Sequence, residues 1–191
     1  MRFALSALLS LLLVNPVLPE TWKGLEVREE FDDDDCPSYK SVTKDYQYSS
    51  NTDLVIEQTL GGFYSPYDDI WYDEATDVDI DHMVARKEAH ESGLCKATAE
   101  VRYEFANDLL NLTLSTPSVN RNEKSDKDAA DWLPQYNKCW YVFTVIQVKK
   151  KYKMSVDGDE RDAMQEVLEN CTADEIFLEP EKPESTEATA D

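Results

Sequence analysis

Asp77-Val-Asp-Ile-Asp-His-Met-Val84 alternates polar and apolar residues and then sets an acid beside an imidazole, at Asp81 and His82. Alternation of this period reads as a strand with one buried face. Working outward, Val84 to Glu91 fits a short helix ended by Ser92-Gly93, and Ala97 to Asn107 a second helix with Val101 and Phe105 on one face. Leu110-Asn-Leu-Thr-Leu114 then alternates again as a second strand. Thr116-Pro117 pairs an N-cap residue with proline at the first helical position, so a helix begins there and carries Asn120 in its first turns. The order is strand, excursion, strand, helix, and it gathers Asp81, His82, Asn111 and Asn120 into about forty residues.

The remainder of the chain frames this stretch. With 191 residues there is room for one hydrophobic core plus processed or disordered ends. Met1-Arg2, an apolar run from Phe3 to Val14 and then Asn15-Pro16 have the outline of a secretory signal peptide, assigned to residues 1–19. That run is shorter than the roughly twenty apolar residues of a membrane span, so no stable membrane association is expected. Residues 20–35, ending in Asp32-Asp33-Asp34-Asp35, read as an exposed acidic leader, 36–171 as the folded domain and 172–191 as an acidic disordered tail. Val42 to Tyr48 and Leu54 to Thr59 fit short strands, and Gly61-Gly62 with Ser65-Pro66 marks a loop. Trp140 to Val148 forms an apolar helix running into a lysine-rich end, and Asp159 to Asn170 a last helix packed against it.

An exported chain with four cysteines is expected to hold two disulfides. Three connectivities satisfy the sequence. The favoured one joins Cys139 to Cys171, stapling two consecutive helices, and Cys36 to Cys95. A zinc site is disfavoured, because there is no Cys-x-x-Cys pair and the histidines number only two.

The formal charge of −21 is opposite to the basic footprint of a phosphate-binding protein. Its distribution is uneven: residues 76–171 carry −5, against −10 for 1–75 and −6 for 172–191. Most of the acidity therefore lies outside the stretch that holds the chemistry.

Phosphodiester hydrolysis needs an activated water and stabilisation of charge on phosphoryl and leaving oxygens. A neutral imidazole at His82 suits the first task. Asp81 and Asn120 offer an anionic and a neutral oxygen, a set that fits Mg²⁺, with Mn²⁺ or another divalent cation as substitutes. Neighbours on a regular strand point to opposite faces, so the strand must end or twist at Asp81-His82 for both to enter one site. Asn111 is placed to brace the loop and orient His82, and Arg121, Lys124 and Lys127 are candidate phosphate contacts. His90 carries no derived role beyond a structural one.

Several further strings accompany the quartet: Glu88-Ala-His-Glu-Ser-Gly93, Phe105-Ala-Asn-Asp, Asn111-Leu, Val119-Asn-Arg, Lys124 to Asp128 and Trp132-Leu-Pro134. Together they resemble secreted HNH proteins of the ββα-metal class, related to the C-terminal nuclease domain of GmrSD-type restriction enzymes, over roughly residues 64–171. The resemblance implies an α+β fold: a ββα-metal core with additional packed, disulfide-stapled helices. It also implies Asp81 and Asn120 as metal ligands, His82 as general base and Asn111 as support. The expected activity is that of a secreted endonuclease of low sequence specificity acting on nucleic acid, DNA foremost, since no separate base-reading module is present. The competing reading is a secreted binding module that keeps the scaffold without catalysis.

Overall fold

The computed structural model describes residues 19–32, 34–40, 44–49 and 52–182. The expected signal peptide and the end of the acidic tail lie outside these residues. Twelve elements are labelled in chain order. The first two strands, β1 (Thr21–Trp22) and β2 (Leu25–Val27), form a hairpin in which Trp22 pairs with Leu25 across the two-residue loop Lys23-Gly24. Both loop residues have positive φ, 51° and 85°, as the turn that matches strand twist demands. This hairpin corrects the reading of residues 20–35 as an exposed leader. β2 pairs in parallel with β7 (Ser155–Val156), so the N-terminal segment completes a three-stranded sheet with residues far along the chain.

The expectation of strands before the glycines is also corrected. Lys44–Tyr46 is a 3₁₀ turn, and the segment beginning at Thr52 is helix α1 (Thr52–Leu60), which buries Ile56 against Leu112 and Leu114. The following loop carries a short hairpin, β3 (Phe63–Ser65) with β4 (Ile70–Tyr72).

Strand β5 (Asp79–His82), helices α2 (Arg86–Glu91) and α3 (Ala99–Ala106), strand β6 (Leu112–Ser115) and a π-helical turn (Val119–Lys124) follow in the expected sequence. β5 and β6 are antiparallel, with Asp81 opposite Thr113 and His82 opposite Leu112. α2 stops at Ser92-Gly93, where Gly93 has φ 122°, a conformation a side chain would strain. The helix after β6 starts as its sequence requires: Thr116 Oγ1 accepts from the Val119 amide and the Asn120 amide bonds the Thr116 carbonyl.

Helices α4 (Lys138–Tyr152) and α5 (Gly158–Glu169) close the back of the molecule, joined by the Cys139–Cys171 disulfide. The second disulfide, Cys36–Cys95, ties the N-terminal segment to the start of the α2–α3 connection. Tyr141, Val142, Val145 and Val148 from α4 pack with Phe105, Leu94 and Met164 in the main core. The architecture is a mixed α+β fold with two disulfides.

The lysine-rich end of α4 does not form a solvated patch throughout. Lys149 is wholly buried, and its ammonium meets Glu88 Oε1 at 2.5 Å, Glu160, and the Ser155 carbonyl at 3.2 Å. One ammonium serves two buried carboxylates. Burial opposes ionisation of Glu88, but Lys149 and the hydrogen bonds from Glu30 and Ser92 outweigh it and hold the carboxyl at about 2. Burial, reinforced by the charge on Glu88, pushes Glu160 up to about 8.

Two outcomes follow for stability. Lys149→Met leaves the buried Glu88 carboxylate without its counter-charge and Glu160 without its partner, and should lower the unfolding free energy by about 3–5 kcal/mol in urea denaturation. The deficit should shrink in acid as the carboxyls take up protons. In the intact protein, Glu160 keeps its proton in the fold while ionising near 4.5 when unfolded, so its contribution is lost as pH rises from about 4.5 to about 8. Glu88 contributes above 4.5 and that contribution is lost as pH falls toward about 2. A plot of Tm against pH by circular dichroism should therefore peak near the ordinary glutamate range, and Glu160→Gln should flatten its alkaline side.

Candidate active site

A cleft of about 290 Å³ opens where β5 ends, and Asp81, His82 and Asn120 all line it. The pairing of β5 with β6 persists through His82 and Leu112, and the next amide, Met83 N, bonds the Asn111 carbonyl at 2.8 Å. The cleft thus sits across the strand end, within reach of both faces.

His82 is buried against Phe105, whose ring lies nearly parallel with centroids 6.0 Å apart. Its Nε2 is 2.9 Å from the Ala106 carbonyl oxygen. A carbonyl only accepts, so Nε2 carries the proton and Nδ1 keeps its lone pair. Burial, with the positive charges of Arg86 and Lys124, lowers the imidazole to about 3 against the bond to Ala106, so the ring is neutral at physiological pH.

Asp81 is buried and takes 2.6 Å from the Tyr67 hydroxyl. Lys124 Nζ lies 3.3 Å from Asp81 Oδ2 and donates to the His82 carbonyl at 2.7 Å. Burial raises the Asp81 carboxyl from its ordinary value, with Lys124 and Tyr67 pulling the other way. Lys124 is completely buried, which corrects its reading as a contact for incoming phosphate. Arg121 does line the cleft, held to Asp79 by two bonds of 2.6 and 2.7 Å. Lys127 donates to the Glu123 carbonyl and lines a different cleft, so it too is corrected as a contact at this site.

Asn111 is fully buried and faces the strand end. Its Oδ1 accepts from the Val84 amide at 2.8 Å and its Nδ2 donates to the Val84 carbonyl at 3.2 Å. The carboxamide therefore closes the α2–α3 excursion onto itself, immediately beyond His82. Asn120 Nδ2 donates to the Ile80 carbonyl at 3.2 Å, which leaves the oxygen end of the amide for the cleft. His90 bridges Tyr46 Oη at 2.9 Å and the Pro37 carbonyl at 2.6 Å, a structural tie with no part in the cleft.

The donor set suits a hard divalent cation. A carboxylate offers about four lone-pair positions, so Tyr67 and Lys124 do not exhaust Asp81. The Thr113 hydroxyl, across the pair from Asp81, is the one buried side-chain polar atom without a hydrogen-bond partner among the described residues. One carboxylate and one amide oxygen are donors that a hard divalent cation accepts, and they would leave most of its positions open. Glu30, Glu88 and Asp128 also converge, with ligand atoms within 4.8 Å of one another, but Glu88 is already committed to Lys149 and this trio lines the other cleft.

Tyr48, Tyr67 and Arg86 complete the surroundings of Asp81 and His82 and were not singled out in the sequence. Arg86 follows His82 by four residues, so a cation close to the motif was its available signal. No local pattern marks the tyrosines: Tyr48 lines the cleft and Tyr67 supports Asp81 from within the core.

Among the described residues no helix is long and apolar enough to cross a membrane. No solved structure matches the chain. An uncharacterized secreted protein of Arthroderma benhamiae is 33% identical over 139 residues, covering 71% of this chain and 68% of that protein. The family described as GmrSD restriction endonucleases, C-terminal domain, matches residues 30–167, so both site strands, the excursion between them and the π-helical turn fall within one match, and the chain belongs to that nuclease-type family.

Proposed function

We propose that the protein is a secreted, metal-dependent endonuclease with an HNH-type ββα-metal site, cutting phosphodiester bonds of nucleic acid. The observation that carries this reading is the state of His82: with Nε2 tied to Ala106, Nδ1 is a neutral acceptor in the same cleft as two oxygen donors, Asp81 and Asn120. Family membership and the name of the Arthroderma relative support the nuclease class and export, respectively.

In this mechanism His82 Nδ1 removes a proton from water as its oxygen bonds to phosphorus, the P–O bond to the leaving sugar oxygen breaks, and that oxygen takes a proton from solvent. The Ala106 carbonyl steadies the imidazolium until it returns its proton to solvent. Asp81 and Asn120 would hold the divalent cation, Mg²⁺ in this reading, which when bound would supply charge neutralisation on the phosphoryl and leaving oxygens. Tyr67 and Lys124 keep the Asp81 carboxylate in one orientation. Arg86, at the start of α2 and bonded to the Tyr46 carbonyl at 3.0 Å, replaces Lys124 and Lys127 as the phosphate-facing cation, together with Arg121. Asn111 acts through the backbone it clamps.

Cleavage of plasmid and of single-stranded circular DNA, followed on gels, tests the reading. Magnesium should support cutting and EDTA abolish it, and His82→Ala should lose about 10²–10⁴-fold in rate. Full activity in chelator or in the variant would overturn the proposal. Asn111→Ala leaves the Val84 N–H and C=O without partners, at about 1–3 kcal/mol each, and should lower stability by about 2–6 kcal/mol in denaturant unfolding. In the same variant kcat should fall more than KM rises, because the strand end moves rather than the substrate contacts.

A further inference from the structure

Beside the catalytic cleft lies a second one of about 310 Å³, between α1 and the β5–β6 pair. The two share Tyr48, Asp79 and Ile80 in their linings, so they adjoin. The second cleft is lined by the apolar side chains of Leu54, Phe63, Val78 and Leu114 together with polar ones. Among the latter are Asp53 and Glu57, which repel phosphate. A phosphodiester seated at His82 therefore has, on this side, space suited to an uncharged planar group.

Tyr48 stands at the junction. Its ring is 44% exposed, although its centroid lies only 6.2 Å from that of His82. The backbone that presents it is gripped from both sides by one side chain: Asn107 Oδ1 accepts from the Ser49 amide at 2.7 Å, and Asn107 Nδ2 donates to the Gln47 carbonyl at 3.0 Å. An aromatic ring held in place yet left open, next to the base and beside a cleft partly lined by apolar side chains, has the properties of a stacking platform.

Resting on the nuclease reading above, we propose that Tyr48 stacks the nucleobase adjoining the scissile phosphate, that the neighbouring cleft receives this base, and that the substrate is single-stranded or locally unpaired nucleic acid. A base inside a duplex presents no free face, and extracting it has an energetic cost. The alternative source of affinity, cations along a duplex backbone, is weak here: the cleft offers Arg86 and an Arg121 already bound to Asp79, on a chain of net charge −21.

Binding is measured by fluorescence anisotropy with a fluorescein-labelled oligothymidylate in EDTA, so that turnover does not intrude. Probes of the same length without bases, and as a duplex, run beside it. The expected result is that the oligothymidylate binds more tightly than both, that Tyr48→Ala weakens it by about tenfold, and that Tyr48→Phe retains the affinity because the ring and not the hydroxyl is used. Asn107→Ala should fall between them. Circular dichroism verifies that each variant is folded. Equal binding by Tyr48→Ala and the parent, equal loss in Tyr48→Phe, or preference for the duplex or the abasic strand overturns the proposal.

Cleavage of the same oligonucleotide in magnesium separates this inference from the reading beneath it. Cutting that needs His82 but ignores Tyr48 refutes the platform and leaves the nuclease. Binding that needs Tyr48 without any cutting refutes the nuclease and leaves the platform.

Discussion

The ammonium of Lys149 is the point at which the separate layers of this protein meet. It lies inside α4, reaches Glu88 on α2 and Glu160 on α5, and caps the Ser155 carbonyl at β7. Through Ser155 it touches the sheet that the N-terminal hairpin completes, and through Glu88 it is joined to α2, the helix that follows β5. Burying an ion pair and a third carboxyl has a large desolvation cost, and an apolar trio of equal volume would stabilise the fold at least as well. What the charges add is direction: a methylene core tolerates sliding between helices, whereas this contact has one geometry in which every partner is satisfied.

A second buried lysine repeats the device on a smaller scale at the site. Lys124 bonds the His82 carbonyl and lies against Asp81, so the π-helical turn is tied to the strand end by both side chain and backbone. With Asn111 on Val84 and Ala106 on His82, this gives the four residues of the motif their fixed relation. These ties gather at the last residues of the strand and the first beyond it, where ladder hydrogen bonds run out. The strand end is consequently rigid although it is no longer sheet.

The order of elements around the site was legible because each boundary carries its own signal: alternation in β5, Ser92-Gly93 after α2, Thr116-Pro117 before the last helix. The pairing of the cysteines was legible once two consecutive helices were placed. Elsewhere local signals misled. Leu54-Val-Ile56 is a branched run that favours a strand, yet tertiary packing of Ile56 on Leu112 and Leu114 makes it helical. Residues 21–27 bury little beyond Leu25, and their strand exists because β7, more than a hundred residues away, offers an edge. Lys124 was placed at the surface because nothing local distinguishes a buried lysine from a solvated one. Its partner Asp81, forty-three residues away, decides the matter.

The turn over Val119–Lys124 is wound wider than an α-helix and is closed by the Ser125 amide on the Asn120 carbonyl, with Ser125 at φ 52°. That winding lets Asn120 bond Ile80 while Lys124, one wide turn later, reaches Asp81. Such a turn is a counting device: inserting or deleting one residue restores ordinary helical pitch and rotates one of the two side chains off its partner. Descendants of this sequence can therefore exchange letters around the cleft, but the reading frame of these six residues is closed to length change. In an alignment the gaps should collect at the hairpin tips and chain ends, and stop on either side of this turn.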